Sequence, residues 1–288
     1  EGPPRSSYRL VFSISCRLFY YYDLLTSLEP GIKAEYDKIP GSFSKQVNIP
    51  IKEDQLIGKI GGQTLDFAVW DMDVVLPGFI VPEHYEWEPW KIHTVDPLNY
   101  YTDELKKIVL SKYLRTADPI SGKIDYDVDG KAVGNWFKEG SDIRNGRIQD
   151  YYKNHLSLSY NAIDPGGIIF SIGLYPGNVG WTVGGRSGSN LPLQFGIKGN
   201  GPDPKDVGRD AGIVKYELVR QDLADPTSGK VWEGKDFIKG LKFKNSEEVL
   251  GVALIQMVDN RKIKVEVFPD KTADQVSSFT DKAIVYER

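Results

Sequence analysis

Cysteine and histidine are scarce in this chain. A single cysteine, Cys16, in 288 residues excludes an intrachain disulfide and leaves the redox compartment open; it reads as a small buried hydrophobe. Three histidines, His84, His93 and His155, stand far apart, so neither a His-rich metal site nor a Ser-His triad has the residues to form at sequence-local spacing. No apolar run approaches the roughly 18 residues needed for a membrane-spanning helix. An excess of one charge is missing too: 36 basic and 40 acidic residues, mixed along the chain, give a formal charge of −4. Without a basic field, neither nucleic acid nor an anionic membrane is an expected partner. The chain opens at Glu1 without Met, which reads as a removed leader or a fragment.

What the chain does have is β signal and aromatic side chains. Its 40% hydrophobic content can fill a core, and 16 tyrosines with 6 tryptophans suit a β-rich protein that meets a small-molecule, carbohydrate or protein ligand. Tyr8–Cys16 and Phe19–Leu25 alternate as strands, and Val47–Ile51 is expected to re-enter their sheet. Between them, Leu28–Phe43 has Pro30, Gly31, Pro40 and Gly41 around a short helix-capable piece, Ala34-Glu35-Tyr36, and reads as an insertion or loop. In the stretch 51–69, apolar residues at Leu56, Ile57 and Ile60 and then at Leu65, Phe67 and Val69 flank Gly58, Gly61 and Gly62, the pattern of a hairpin. Leu65 and Phe67 are expected to face the core and Asp66 the solvent. One strong helix is predicted over 102–113, capped by Thr102 or Asp103. The Pro/Gly/Ser segment Thr116–Gly122 marks a boundary between a first domain, 1–118, and a second, 119–288.

The second domain carries nine strand signals: Lys123–Val128, Lys131–Phe137, His155–Tyr160, Gly167–Leu174, Pro192–Ile197, Ile213–Arg220, Val249–Val258, Lys262–Phe268 and Lys282–Tyr286. Such spacing predicts an antiparallel β-barrel or sandwich. The expected fold class is therefore mostly β, with one helix.

The stretch Gln55-Leu56-Ile57-Gly58-Lys59-Ile60-Gly61, followed by Thr64-Leu65-Asp66-Phe67, resembles the "Gln-x-Ile-Gly-x-Val-Gly" hairpin and "His-Leu-His-Phe-Glu" strand of the M23 (lysostaphin and LytM-like) β-sheet peptidases. Over residues 8–70 the resemblance implies an antiparallel β unit in which Tyr21-Tyr22-Asp23-Leu24 stands for the family's "Tyr-x-His-Leu". Aspartate or threonine then occupies the positions where the family has zinc-binding histidines, and tetrahedral zinc with an activated water is not supported by that set. The resemblance places Asp23 and Asp66 opposite each other on adjacent strands, as an acid/base pair, a hard-cation site or a solvated pair. Gly134-Asn135-Trp136 is similar to the "Gly-x-Trp" of lipocalin-like barrels.

Other motifs admit two readings each. Asp125-x-Asp127-x-Asp129-Gly130 matches the opening of a calcium loop, yet Trp136 stands at the twelfth position where a bidentate acid belongs. The competing reading is a hairpin with Ile124, Tyr126 and Val128 on one face and the aspartates on the other; calcium is the one cofactor this stretch could imply. Gly180–Ser187 has phosphate-loop spacing with Arg186 in place of lysine but leads to a strand, so it reads as a glycine-rich loop with Trp181 and Arg186 as binding residues at the barrel rim. Glu83, Glu86 and Glu88 with Trp87 and Trp90 read as an aromatic loop or a sugar platform with acids at hand. Together these features point to a secreted or cell-surface, non-catalytic ligand- or partner-binding protein. The alternatives are a carboxylate-dependent hydrolase acting on cell-wall or carbohydrate substrates and a structural surface or assembly subunit.

Overall fold

The structure, a computed structural model, describes residues 7–41, 44–61, 64–85, 88–141, 152–176, 192–199 and 201–288. The chain forms two compact units: residues 1–75 with 93–97, and residues 76–92 with 98–288.

In the first unit, β1 (Tyr8–Ser13), β2 (Leu18–Leu25), β5 (Asp66–Asp71) and β6 (Thr94–Val95) form one antiparallel sheet in that order. One face carries an aromatic ladder: Phe12 stacks on Tyr20 at 4.7 Å and Tyr22 meets Phe67 at 5.1 Å. Below it sits a small core of Leu25, Leu28 and Ile32 with Tyr8, Leu10, Ile49, Ile51 and Ile57. Ile32 comes from α1 (Pro30–Asp37), which contains the helix-capable piece Ala34-Glu35-Tyr36 and extends it back through what the sequence suggested was an insertion or loop. Pro30 stands at the first helical turn, where its missing N–H costs nothing, and the Glu29 carboxylate accepts from the Gly31 and Ile32 amides. The prolines read as punctuation therefore start a helix.

Three further expectations fail here. Residues 47–51 form no strand, although Ile49 and Ile51 still reach the core. The stretch 51–69 is not a hairpin: β4 (Gly58–Lys59) pairs with β3 (Ser27–Leu28), whereas β5 pairs with β2. The chain thus passes from one sheet to another between β4 and β5, and Leu56, Ile60 and Leu65 are exposed at 59%, 46% and 42%. Cys16 is exposed rather than buried, because it lies in the tight turn between β1 and β2.

The second unit is a closed eight-stranded antiparallel barrel. Its strands are β7 (Gly134–Lys138), β8 (His155–Tyr160), β9 (Ile168–Ile172), β10 (Leu193–Lys198), β11 (Val214–Ala224), β12 (Lys242–Asp259), β13 (Lys262–Pro269) and β14 (Ile284–Glu287). Each pairs with its neighbour in sequence, and β14 returns to β7. Eight of the nine predicted strands are present; Lys123–Val128 is not one of them. Alternate residues fill the interior: Leu156 and Leu158, Phe170 and Ile172, Phe195 and Ile197, Tyr216 and Leu218, Ile263 and Val265, with Trp136 and Tyr286 completely buried. The period-2 pattern of each strand thus becomes a packed core. The Tyr286 hydroxyl has no hydrogen-bond partner among the described residues, and burial pushes its pKa up. Removing a hydroxyl that gains nothing should not destabilise: Tyr286→Phe is expected to leave stability unchanged or raise it by about 1 kcal/mol in urea unfolding. A loss of that size would show that the hydroxyl is bonded.

Beyond Val219 the β11–β12 pair continues without β10 and its side chains reach back to the barrel wall. Gln221 Nε2 donates to Asn245 Oδ1 at 2.9 Å, Asn245 Nδ2 to the Ile197 carbonyl at 2.7 Å, and Asn161 Nδ2 to Gln221 Oε1 at 3.0 Å. Gly196, facing outward between the core residues Phe195 and Ile197, makes room for this arm: a Cβ there would stand 2.5 Å from Asn245 Oδ1.

At one end of the barrel the guanidinium of Arg288, with 1% of its side chain exposed, lies 3.8 Å over the Trp136 ring. It donates to the carbonyls of Val133 at 2.7 Å, Val128 at 2.6 Å and Lys131, and stands 3.5 Å from Asp127. Burial lowers its pKa to about 10, so it stays charged at neutral pH, and its cation faces the buried carboxylate. The predicted helix forms as α2 (Asp103–Ser111), with Thr102 Oγ1 accepting from the Leu105 amide.

Candidate functional site

The opposition of Asp23 and Asp66 proposed from the sequence is present: they are direct cross-strand partners on β2 and β5. Direct partners point to the same face, so both carboxylates stand on the side away from the aromatic ladder. Each is already engaged. Arg9 on β1 donates from Nε at 2.8 Å and from Nη2 at 2.5 Å to Asp23 Oδ2, while Asp23 Oδ1 accepts from the Leu24 amide at 2.7 Å. The Tyr21 hydroxyl donates to Asp66 Oδ2 at 3.1 Å. Burial, reinforced by the charge and hydrogen bond of Asp66, pushes Tyr21 up to about 12, so it remains a donor. Its ring lies 5.0 Å from that of Trp70 and 5.0 Å under the Arg9 guanidinium. Asp66 is exposed, whereas the Asp23 side chain keeps 15% of its surface.

The residue types decide what this face can do. A guanidinium bonded to one carboxylate and a phenol bonded to the other give a surface of alternating donors and acceptors beside aromatic rings. Zinc does not fit it: the face offers carboxylates rather than imidazoles, and Arg9 already holds Asp23. Among the described residues no group of three His, Cys, Asp or Glu side chains is arranged to hold a metal ion. Arg9 and Tyr21 were missed by sequence reasoning, although counting outward from the β1–β2 turn sets Arg9 opposite Asp23.

The calcium-loop aspartates have another use, and the hairpin reading of Lys123–Val128 is also wrong. Exposure is inverted: Asp125 and Asp127 are 6% and 8% exposed, whereas Ile124 and Val128 are 48% and 45% exposed. Asp125 Oδ2 accepts from the Gly78 amide at 2.9 Å, and Lys123 pairs with Oδ1 at 2.7 Å. Asp127 accepts from the Asn135 amide at 2.7 Å and the Ile80 amide at 3.4 Å, and its own amide donates to the Gly78 carbonyl at 2.9 Å. Burial pushes the Asp127 carboxyl upward, against these donors and Arg288. Asp129 stays outside and meets Arg261 at 3.2 Å. The aspartates are buried because they fasten the distant segment 78–80 by its backbone.

That segment belongs to residues 76–92, whose later part, from Glu83 on, carries the acids and tryptophans that read from sequence as an aromatic loop or a sugar platform. Phe79, Tyr85 and Ile92 are buried against Phe137 of β7. Glu83 is exposed, Glu88 is salt-bridged to Lys91 at 2.5 Å, and Trp90 is half-buried in a single helical turn, Pro89–His93. Trp87, Glu86, Trp181 and Arg186 lie outside the described residues. Of the histidines, His93 Nδ1 lies 2.6 Å from the Val74 carbonyl, whereas His84 and His155 both meet the Phe137 ring, so the structure brings two of the three together. No described helix is long and apolar enough to cross a membrane. Compared with family models, curated proteins and solved structures, the chain matches none of them.

Proposed function

We propose that the chain is a non-catalytic, exported binding protein in which a metal-less M23-like sheet recognises a carbohydrate ligand and is joined to a closed β-barrel. The observation that carries this reading is the face on which Tyr21 holds Asp66 and Arg9 holds Asp23. Sugars are bound by planar carboxylate and guanidinium groups that satisfy adjacent hydroxyls, beside an aromatic ring that covers the C–H face. This face has all three, and its carboxylates are held in place by donors rather than left to shuttle protons. Titration calorimetry against a panel of cell-wall and plant oligosaccharides is expected to find one that binds. Asp66→Ala should weaken that binding at least tenfold, about 1.4 kcal/mol. No binding across the panel, or affinity untouched by Asp66→Ala, would refute the reading.

A second reading, a carboxylate-dependent hydrolase, draws on the direct opposition of Asp23 and Asp66. It requires that the ligand found be cleaved, and that Asp23→Asn and Asp66→Asn each abolish cleavage.

A further inference from the structure

The segment 76–92 has the form of a closed loop: the Leu76 amide donates to the Ile92 carbonyl at 2.8 Å, so its ends meet while Phe79, Tyr85 and Ile92 pack with Phe137 on the barrel's outer wall. It docks on one ring. Phe137, 4% exposed, receives Phe79 and Tyr85 from the loop, and two imidazoles stand edge-on to it. His84 of the loop lies at 5.3 Å and 80°, and His155, the cross-strand partner of Phe137 on β8, at 4.9 Å and 87°. A neutral imidazole packs against phenyl edges as an aromatic ring; an imidazolium in the same place must give up its hydration.

The geometry points to residues 76–92 as an acid-released latch: protonation of His155 parts the loop from the barrel wall at Phe137 while the barrel itself stays closed. The charged and titratable groups facing His155 come from the loop. Lys91 opposes a second cation and Glu88 favours one, and these two are paired with each other; His84 stands across the same ring. From β7 the neighbour is apolar Phe137. Burial, with Lys91 second and Glu88 opposing, holds His155 down at about 4. A docked pKa below the ordinary value of about 6.5 means that the undocked state binds the extra proton. Docking is therefore at full strength above pH 6.5 and is lost progressively as pH falls toward 4. Asp125 and Asp127 hold the loop's other side, and because burial raises the Asp127 pKa, its protonation at low pH favours the docked state and works against release.

The experiment is hydrogen exchange on the full chain at pH 7 and pH 4.5, corrected for intrinsic rates, in the natural protein, in His155→Phe and in Asp127→Asn. The amides of Leu76, Gly78 and Asp127, which the docked loop protects, are expected to lose roughly fifty- to a hundredfold protection at pH 4.5. Amides of β12 and β13 should keep theirs. His155→Phe should abolish the loss, whereas Asp127→Asn should retain it. A loss that persists in His155→Phe, or that Asp127→Asn removes, places the release at a group other than His155 and overturns the proposal, as does parallel loss in β12 and β13. If His155→Phe does not fold, the titration of the His155 ring in the natural protein decides: a midpoint near 4 supports the latch and one near 6.5 overturns it.

Discussion

Arg288→Met is expected to lower the unfolding free energy by about 3–5 kcal/mol, measured by urea unfolding followed by circular dichroism. Methionine replaces the volume over Trp136 but leaves three carbonyls, of Val128, Lys131 and Val133, without their donor. It also leaves Asp127, with 3% of its side chain exposed, facing no cation. Leaving a buried charge alone costs more than the pair contributes, because desolvation has been suffered and the compensation removed. The double variant Arg288→Met with Asp127→Asn should therefore be less destabilised than the two single losses added together. Additive losses, or a loss under about 1 kcal/mol in the single variant, would mean that water reaches the carbonyls and the guanidinium is dispensable.

Gly78→Ala is expected to cost about 3 kcal/mol and to detach residues 76–92 locally. A Cβ at Gly78 would stand 1.7 Å from the Asp125 carbonyl oxygen and 2.5 Å from its carbon, both backbone atoms that no rotamer change can move. The bonds by which the Gly78 amide donates to the Asp125 carboxylate and the Gly78 carbonyl accepts from the Asp127 amide must then break. Urea unfolding reports the loss, and proteolytic cutting within the loop under native conditions reports where it falls. An intact loop with unchanged stability would show that the backbone at 125 can retreat.

The barrel was legible because each of its strands carries its own period-2 signal and packs against its neighbour in sequence. The segment 123–128 carried the same signal and misled. Its alternation of Ile, Tyr and Val with aspartate is real, but the aspartates are buried by amides nearly fifty positions away, and periodicity contains no information about such a partner. The glycine stretch 51–69 failed for a related reason: local turn chemistry suggested a hairpin, and pairing with β3 and β2 overrode it. At the candidate site the positions of Asp23 and Asp66 could be read, because register follows from alternation. Their engagement by Arg9 and Tyr21 could not be read from the aspartates alone; it requires the position of the β1–β2 turn.

The seam of the barrel has a kinetic meaning. Seven of the strand pairings join elements that follow one another along the chain and can form as the chain lengthens, but the eighth pairs β14 with β7 through Tyr286↔Lys138 and Glu287↔Phe137. Arg288, 155 positions from Val133, arrives at the same moment. Loop closure over such a span costs entropy that only the finished contacts return. Until the last four-residue strand emerges, the growing sheet carries two open edges, at β7 and β13, that any other strand can join. Synthesis rate and chaperone cover until β14 has formed are therefore expected to govern how much of the newly made chain closes on itself instead of on a neighbour.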